Sequence, residues 1–234
     1  MMDLSRRSTE AEAMDDEALD PAIYQRCISD LAAVNRLTMT HRPTLRWLAR
    51  ATASLPEGGA FSLLDVAYGH GDLLRAIGRW ARKRGLRARL SGIDLNPRSA
   101  LAAREATPPG LAIDYRTGDV FDHAPEPRPD FIVSSQFTHH LTDAQLVAFL
   151  RWLDRNAARG WHIADLHRHP IPYYSFRWIA RGMGWHRIVA EDGTISIARG
   201  FRRRDWEKAL AEAEIAGSIA WHVPFRHSVS HLRP

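Results

Sequence analysis

The sequence predicts an α/β fold: a doubly wound, mostly parallel seven-strand sheet with an antiparallel C-terminal hairpin and a helical N-terminal cap. Three observations predict it. Short apolar runs alternate with helical stripes between Phe61 and Leu166, the rhythm of parallel strands joined by crossover helices. The first run passes directly into a glycine-containing turn, Ala67-Tyr68-Gly69-His70-Gly71, as expected where a strand feeds a helix N-terminus. Near the end, Ile219, Trp221 and Val223 alternate, as do Phe225, His227 and Val229, so two strands turn about Pro224.

Residues 1–20 carry Asp15, Asp16, Glu17 and Asp20 among small and polar residues and read as a flexible acidic tail. Residues 21–55 form the helical cap, in which Leu45, Leu48, Ala49 and Thr52 fall at i, i+3, i+4 and i+7. Pro56-Glu57-Gly58-Gly59 breaks that pattern and opens the main domain, 56–234. Its parallel strands are expected at Phe61–Ala67, Leu90–Leu95, Leu111–Tyr115, Asp130–Ser135 and Trp161–Leu166. Between them, Asp72–Arg84 places Leu73, Ile77, Trp80 and Ala81 on one helical face. A second helix opens at Pro97, a favoured first-turn position. A third opens with the capping-box spacing of Thr142 and Gln145 and aligns Leu146, Phe149, Leu150 and Leu153. A last helix, Trp206–Ala216, is stopped by Gly217. The segment of about 167–200 breaks the rhythm. It is rich in aromatics, among them Tyr173, Tyr174, Phe176, Trp178 and Trp185. An insertion after a strand's carboxyl end predicts a lid over a ligand.

Hydrophobic residues at 45% and charged ones at 25% exclude wholesale disorder. The net charge of +5 raises the question of nucleic acid. Lysine occurs only at Lys83 and Lys208, and the arginines are interleaved with acids through every segment rather than concentrated. That distribution argues against a nucleic-acid partner. Cys27 stands alone, which excludes an intramolecular disulfide and a multi-cysteine zinc site. No run approaches the roughly eighteen apolar residues of a membrane span, and no apolar leader is visible. A cytoplasmic protein is expected. Nothing in the sequence encodes its oligomeric state.

The turn after the first strand suits a bound nucleotide, since glycines let the backbone come close to a ligand. The second strand ends at Asp94, about twenty residues beyond, where an acid accepts both hydroxyls of a ribose. These features alone also fit a turn that merely packs helix on strand. More follows from a resemblance. Leu63 to Leu74, Gly92 to Pro97, Gly118-Asp119-Val120, Asp130 to Ser135 with His139 to Asp143, and Gly200-Phe201 leading into Trp206 to Gly217 occur in that order. Together they resemble the motifs of class I S-adenosylmethionine-dependent methyltransferases, which have a Rossmann-like fold. A looser likeness, over Asp165 to Pro170, Tyr173-Tyr174 and Arg199 to Phe201, is to the small-molecule methyltransferases of bacterial polyketide and quinone pathways.

The resemblance implies S-adenosylmethionine as cofactor, with S-adenosylhomocysteine as product. By it, Gly69 and Gly71 border the methionine part and Asp65 supports the turn. Asp94, in the same motif as Asn96, holds the ribose. Leu95 and Val120 sandwich the adenine, Asp119 accepts from its amino group, and Ser135 and Gln136 line the methyl-transfer pocket. Ala67 stands where the family has glycine, a change compatible with negative φ. The expected acceptor is a small apolar or aromatic molecule, methylated on oxygen or, as second choice, on carbon. A phenol, with a pKa near 10, needs a base at neutral pH. His139 and His140 follow the fourth strand and His167 and His169 the fifth, so His140, His167 and His139 are the candidate bases. Asp165 is placed to orient one of them. Phe137, His169, Tyr173 and Tyr174 are candidate acceptor contacts. No metal site is expected, since no carboxylate cluster accompanies the His167-x-His169 pair. A cofactor-binding protein without turnover, an RNA methyltransferase and a nicotinamide enzyme stay open as alternatives.

Overall fold

The computed structural model describes residues 3–233. Its strands are β1 (Ala60–Val66), β2 (Arg87–Asp94), β3 (Ile113–Thr117), β4 (Phe131–Ser135), β5 (Gly160–Leu166), β6 (Ser218–His222) and β7 (Arg226–Leu232). They form one seven-stranded sheet in the order β3-β2-β1-β4-β5-β7-β6. β1 to β5 are parallel, whereas β7 runs antiparallel to both β5 and β6. The predicted architecture is observed: the chain has a Rossmann-like α/β fold. Strand order reverses between β1 and β4, which opens a crevice at the carboxyl ends of the strands, where such sheets bind ligands.

Side chains alternate across β1 because successive residues of a strand point to opposite faces. Leu64 and Val66 join Ile132, Phe149, Trp161 and Trp206 on one face, while Phe61 and Leu63 join Trp47, Leu74, Ile77 and Phe131 on the other. The covering helices are α1 (Pro21–Leu37), α2 (Arg42–Ala51), α3 (Asp72–Lys83), α4 (Pro97–Ala106), α5 (Asp143–Asn156), α6 (Pro170–Gly182), α7 (Arg187–Arg199) and α8 (Arg203–Ala213). Their starts follow the chemistry read from the sequence. Thr142 and Gln145 close a reciprocal capping box on α5. Pro97 opens α4 behind the Asn96 side chain, which accepts from the Arg98 N–H.

Two segments lie outside the strand–helix alternation, and the first is not the flexible tail that its composition suggests. The tail of residues 3–20 is a strap laid along the core. Leu4 and Glu12 are buried, the Ser8 N–H donates to Ala198 O, and the Ala13 and Met14 N–H groups donate to the two oxygens of Asp192. Its acids are fixed by partners far along the chain, which composition alone does not reveal. The insertion after β5 is a helical pair, α6 and α7. Cys27 and Val34 of α1 pack on Ile188 and Val189 of α7.

Candidate active site

Register sets the site. Val66 lies level with Ile93 on one side and Ser134 on the other, so the turn after β1, Asp94 and Ser135 emerge at one edge. The turn is tight: Ala67 has φ 59°, Gly69 52° and Gly71 72°. At Gly71 a methyl group would stand 2.5 Å from the Tyr115 hydroxyl, so only glycine fits. The negative φ that would accommodate the Ala67 methyl without strain is not found, because the backbone is left-handed. A non-glycine residue costs about 1–2 kcal/mol there, and glycine returns about 0.4–1 kcal/mol through a freer unfolded chain. Ala67→Gly is therefore expected to stabilise by about 0.5–1 kcal/mol, or roughly 1–4 °C in a melting scan.

Asp94 accepts from the Gly69 N–H at 2.8 Å and from the Asn96 N–H at 2.9 Å. Burial raises its pKa against those two bonds. Asp72, at the start of α3, bonds Asn35 Nδ2 and His41 Nε2, both at 3.0 Å. Those partners hold its carboxyl below the usual range despite burial. Asp65 is fully buried with no hydrogen-bond partner on either oxygen. Burial, then Asp72 and Asp94, push its pKa well up. Three carboxyl groups thus gather round the turn, and Asp72 is the one whose partners hold it ionised. The arrangement fits the sulfonium and ammonium groups of S-adenosylmethionine, and it opposes the pyrophosphate of a nicotinamide dinucleotide.

The other expected cofactor residues surround this turn. Leu95 is exposed and Val120 buried. Asp119 caps the short turn at Val120–Asp122 through the Phe121 N–H. Ser135 has a buried hydroxyl without a partner. Gln136, at φ 57°, donates through Nε2 to Asn35 Oδ1 and accepts from Arg226. Helix α1 covers the crevice. Tyr24 meets Ser99 at 2.9 Å, and the Ile28 side chain lies 3.9 Å from where a methyl on Gly69 would stand.

Beyond β4, Asp165 is wholly buried and gathers four donors. They are Thr138 Oγ1 at 2.5 Å, the His139 N–H at 3.1 Å, His139 Nδ1 at 2.7 Å and the Leu166 N–H at 2.7 Å. Burial opposes its ionisation, but His139 and these hydrogen bonds prevail and hold its carboxyl down to about 2. The ionised Asp165 fixes the proton of His139 on Nδ1 and leaves Nε2 with a free lone pair. His140 stacks obliquely on His139, with ring centroids 4.4 Å apart, and its Nδ1 meets Asp15 Oδ2 at 3.2 Å. Two arginines clamp this turn from behind. Arg7 donates to His139 O and Leu141 O, and Arg199 to His139 O and His140 O.

His167 and His169 belong to a different group. His167 Nδ1 accepts from Trp221 Nε1 at 3.2 Å, and its ring packs on His227. Buried among these rings, it is held down to about 4. His169 caps α6 and stacks on Phe225. Phe137 packs edge-on against Phe149, and Tyr173 and Tyr174 meet edge to face on α6. Residues that sequence reasoning missed are Glu12, Asn35 and Arg226. Arg226 is buried with its guanidinium on Gln136, Thr38 and Thr40 and its Nε unpartnered. No motif flagged it, because its partners lie in the turns that follow α1 and β4.

Residues 63–160 match the family model described as a methyltransferase domain. A search of curated proteins finds no match. Among solved structures, a SAM-dependent methyltransferase from Aquifex aeolicus is 20% identical, with a TM-score of 0.61 over 91% of this chain and 97% of that one. Human N-acetylserotonin methyltransferase in complex with SAM is 14% identical, with a TM-score of 0.62 over 93% and 59%. The Synechocystis magnesium protoporphyrin IX methyltransferase with bound SAM is 14% identical, with a TM-score of 0.55 over 95% and 88%. Residues 63–160 thus match a methyltransferase domain, and the chain shares the fold of S-adenosylmethionine-dependent methyltransferases. No helix among the described residues is long and apolar enough to cross a membrane.

Proposed function

We propose that the protein transfers a methyl group to an oxygen of a small, largely apolar aromatic acceptor. The observation that carries this reading is the Asp165–His139 pair beside the Ser135–Gln136 turn. When bound, S-adenosylmethionine supplies an electrophilic methyl group on a cationic sulfur. Asp94 would hold its ribose, Leu95 and Val120 would flank its adenine and Asp119 would accept from the adenine amino group. Asp65, Gly69 and Gly71 would border its methionine end, with Ser135 and Gln136 beside the methyl. His139 Nε2, its tautomer set by Asp165, is the acceptor for the hydroxyl proton, with His140 beside it. Tyr24, Ile28 and the strap cover the turn and would exclude water.

The acceptor class is supported by α6, which follows the carboxyl end of β5 and whose Ile171, Tyr174, Trp178 and Ile179 are exposed apolar side chains. A nucleic-acid acceptor is disfavoured because the arginines are scattered along the chain rather than concentrated, and some of them are structural. Arg168 and Arg226 are buried, and Arg168 ties Leu4 O, Gly200 O and Asp205 together. The test supplies methyl-labelled S-adenosylmethionine with a panel of alkylated phenols and naphthols and, separately, with RNA. Label recovered as an ether of an apolar phenol is expected. Label in RNA alone, or binding of S-adenosylhomocysteine without transfer to any acceptor, would overturn the reading.

A further inference from the structure

The turn after β4 also faces a set of donors that proton transfer alone does not need. Glu12 of the strap, His139 and His140 each bring one ligand atom within 4.8 Å of the others. Glu12 Oε1 lies 3.7 Å from His139 Nε2, and Glu12 Oε2 lies 3.9 Å from His140 Nε2. These gaps are too long for hydrogen bonds, and Glu12 Oε1 is buried with no hydrogen-bond partner. Both Nδ1 atoms are engaged by carboxylates, His139 by Asp165 and His140 by Asp15. Each ring therefore points an Nε2 lone pair at an acidic side chain. Two lone pairs and a carboxylate converge.

We propose that Glu12, His139 and His140 bind a divalent first-row transition-metal ion of the Zn²⁺ type. The donor set, two imidazoles and one carboxylate, is one that holds zinc or ferrous iron. Ligand bonds of about 2.0–2.2 Å in tetrahedral geometry place donors roughly 3.3–3.6 Å apart; the Glu12 contacts at 3.7 and 3.9 Å are a few tenths of an ångström longer, and all three donors already lie within 4.8 Å of one another. Asp165 and Asp15 supply the outer carboxylates that fix the tautomer and orientation of metal-bound histidines. Charge agrees. Glu12 and Asp15 share the single guanidinium of Arg199, 3.7 Å from Glu12 and 3.9 Å from Asp15, so two acids meet one arginine and the balance favours a cation. Three protein donors leave a fourth position open, as in zinc sites that hold a water or a substrate oxygen. Since Glu12 comes from the strap and both histidines from the sheet's edge, the ion would also fasten the strap over the cofactor. Only a catalytic use of the open position rests on the methyl-transfer reading; the site itself does not. With the ion bound, His139 Nε2 is a ligand and no longer takes a proton, and an oxygen ligand in the open position would take over the role of base.

The experiment uses the full chain, stripped with chelator and titrated with Zn²⁺ by calorimetry, with Co²⁺ absorption reporting coordination. One equivalent per chain is expected, with a rise in melting temperature and a four- or five-coordinate cobalt spectrum. Glu12→Gln and His140→Ala should each weaken binding at least a hundredfold, while His167→Ala, in the other histidine group, retains it. No stoichiometric binding by the wild type, or equal binding by Glu12→Gln and His140→Ala, overturns the site. The shift with S-adenosylhomocysteine, run on the same stripped samples, tests the cofactor separately. Its persistence without metal binding would sink only the metal site, and its loss with metal binding intact would sink only the cofactor assignment.

Discussion

Asp94→Ala abolishes the stabilisation that S-adenosylhomocysteine gives in a thermal-shift titration. A ligand at a hundredfold its dissociation constant stabilises by about 2.7 kcal/mol, which for a chain of this size is roughly 5–11 °C. A carboxylate that takes two ribose hydroxyls makes two charge-assisted hydrogen bonds, each about 1.5–3 kcal/mol. Their sum exceeds the whole expected stabilisation, so the shift disappears at that concentration. Asp94 also accepts from the Gly69 and Asn96 N–H groups, so Ala disturbs the turn as well. Asp94→Asn keeps the volume and one acceptor, and separates the effects: its unliganded melting temperature should fall less while its ligand response is still lost. A full response to S-adenosylhomocysteine in Asp94→Asn would remove Asp94 from the cofactor site.

The second large effect is at Asp165. Asp165→Ala leaves the Thr138 hydroxyl, two N–H groups and the His139 imidazole without their common acceptor in the interior. Breaking a buried charged network from one side costs about 3–5 kcal/mol, a large part of the roughly 5–15 kcal/mol that holds a domain folded. The melting temperature is expected to fall by roughly 6–20 °C. Asp165→Asn distinguishes folding from chemistry. It preserves the packing but offers His139 an amide in place of a carboxylate. It should remain folded by circular dichroism and lose about 10²–10⁴-fold in methyl transfer if His139 is the base. An Asp165→Asn protein with undiminished transfer would assign Asp165 a purely structural role.

Much of the fold was legible because it is written in local patterns. The alternation of Phe61, Leu63 and Asp65 with Leu64 and Val66, the capping box at Thr142 and Pro97 at a helix start each depend on neighbours within a few residues. The turn after β1 and its link to Asp94 were legible because a strand, a glycine turn and an acid at the next strand's end form a short-range unit. What escaped depends on distant partners. Glu12 reads as one acid in an acidic tail, yet its neighbours are His139, His140 and Arg199. Arg226 reads as a hairpin residue, yet its guanidinium meets Thr38, Thr40 and Gln136. His167 and His139 look equivalent as histidines after successive strands. Asp165 meets one of them, while Trp221 and His227 meet the other. The left-handed Ala67 is the remaining case, since a side chain that disfavours that backbone gave no cue to it.

The position of β7 between β5 and β6 has a consequence for how the chain is made. β5 is an interior strand with β4 on one side, and its other edge is filled by a strand that comes after α6, α7, α8 and β6 in sequence. As the chain leaves the ribosome, β5 must stand with a row of unpaired N–H and C=O groups until the final strand arrives. A waiting edge of apolar residues is a template for pairing with another chain. Slow translation or heating of a partly folded chain would therefore lead to aggregates nucleated along β5, and folding yield would depend on the arrival of β7 more than on the strength of the nucleotide-binding half.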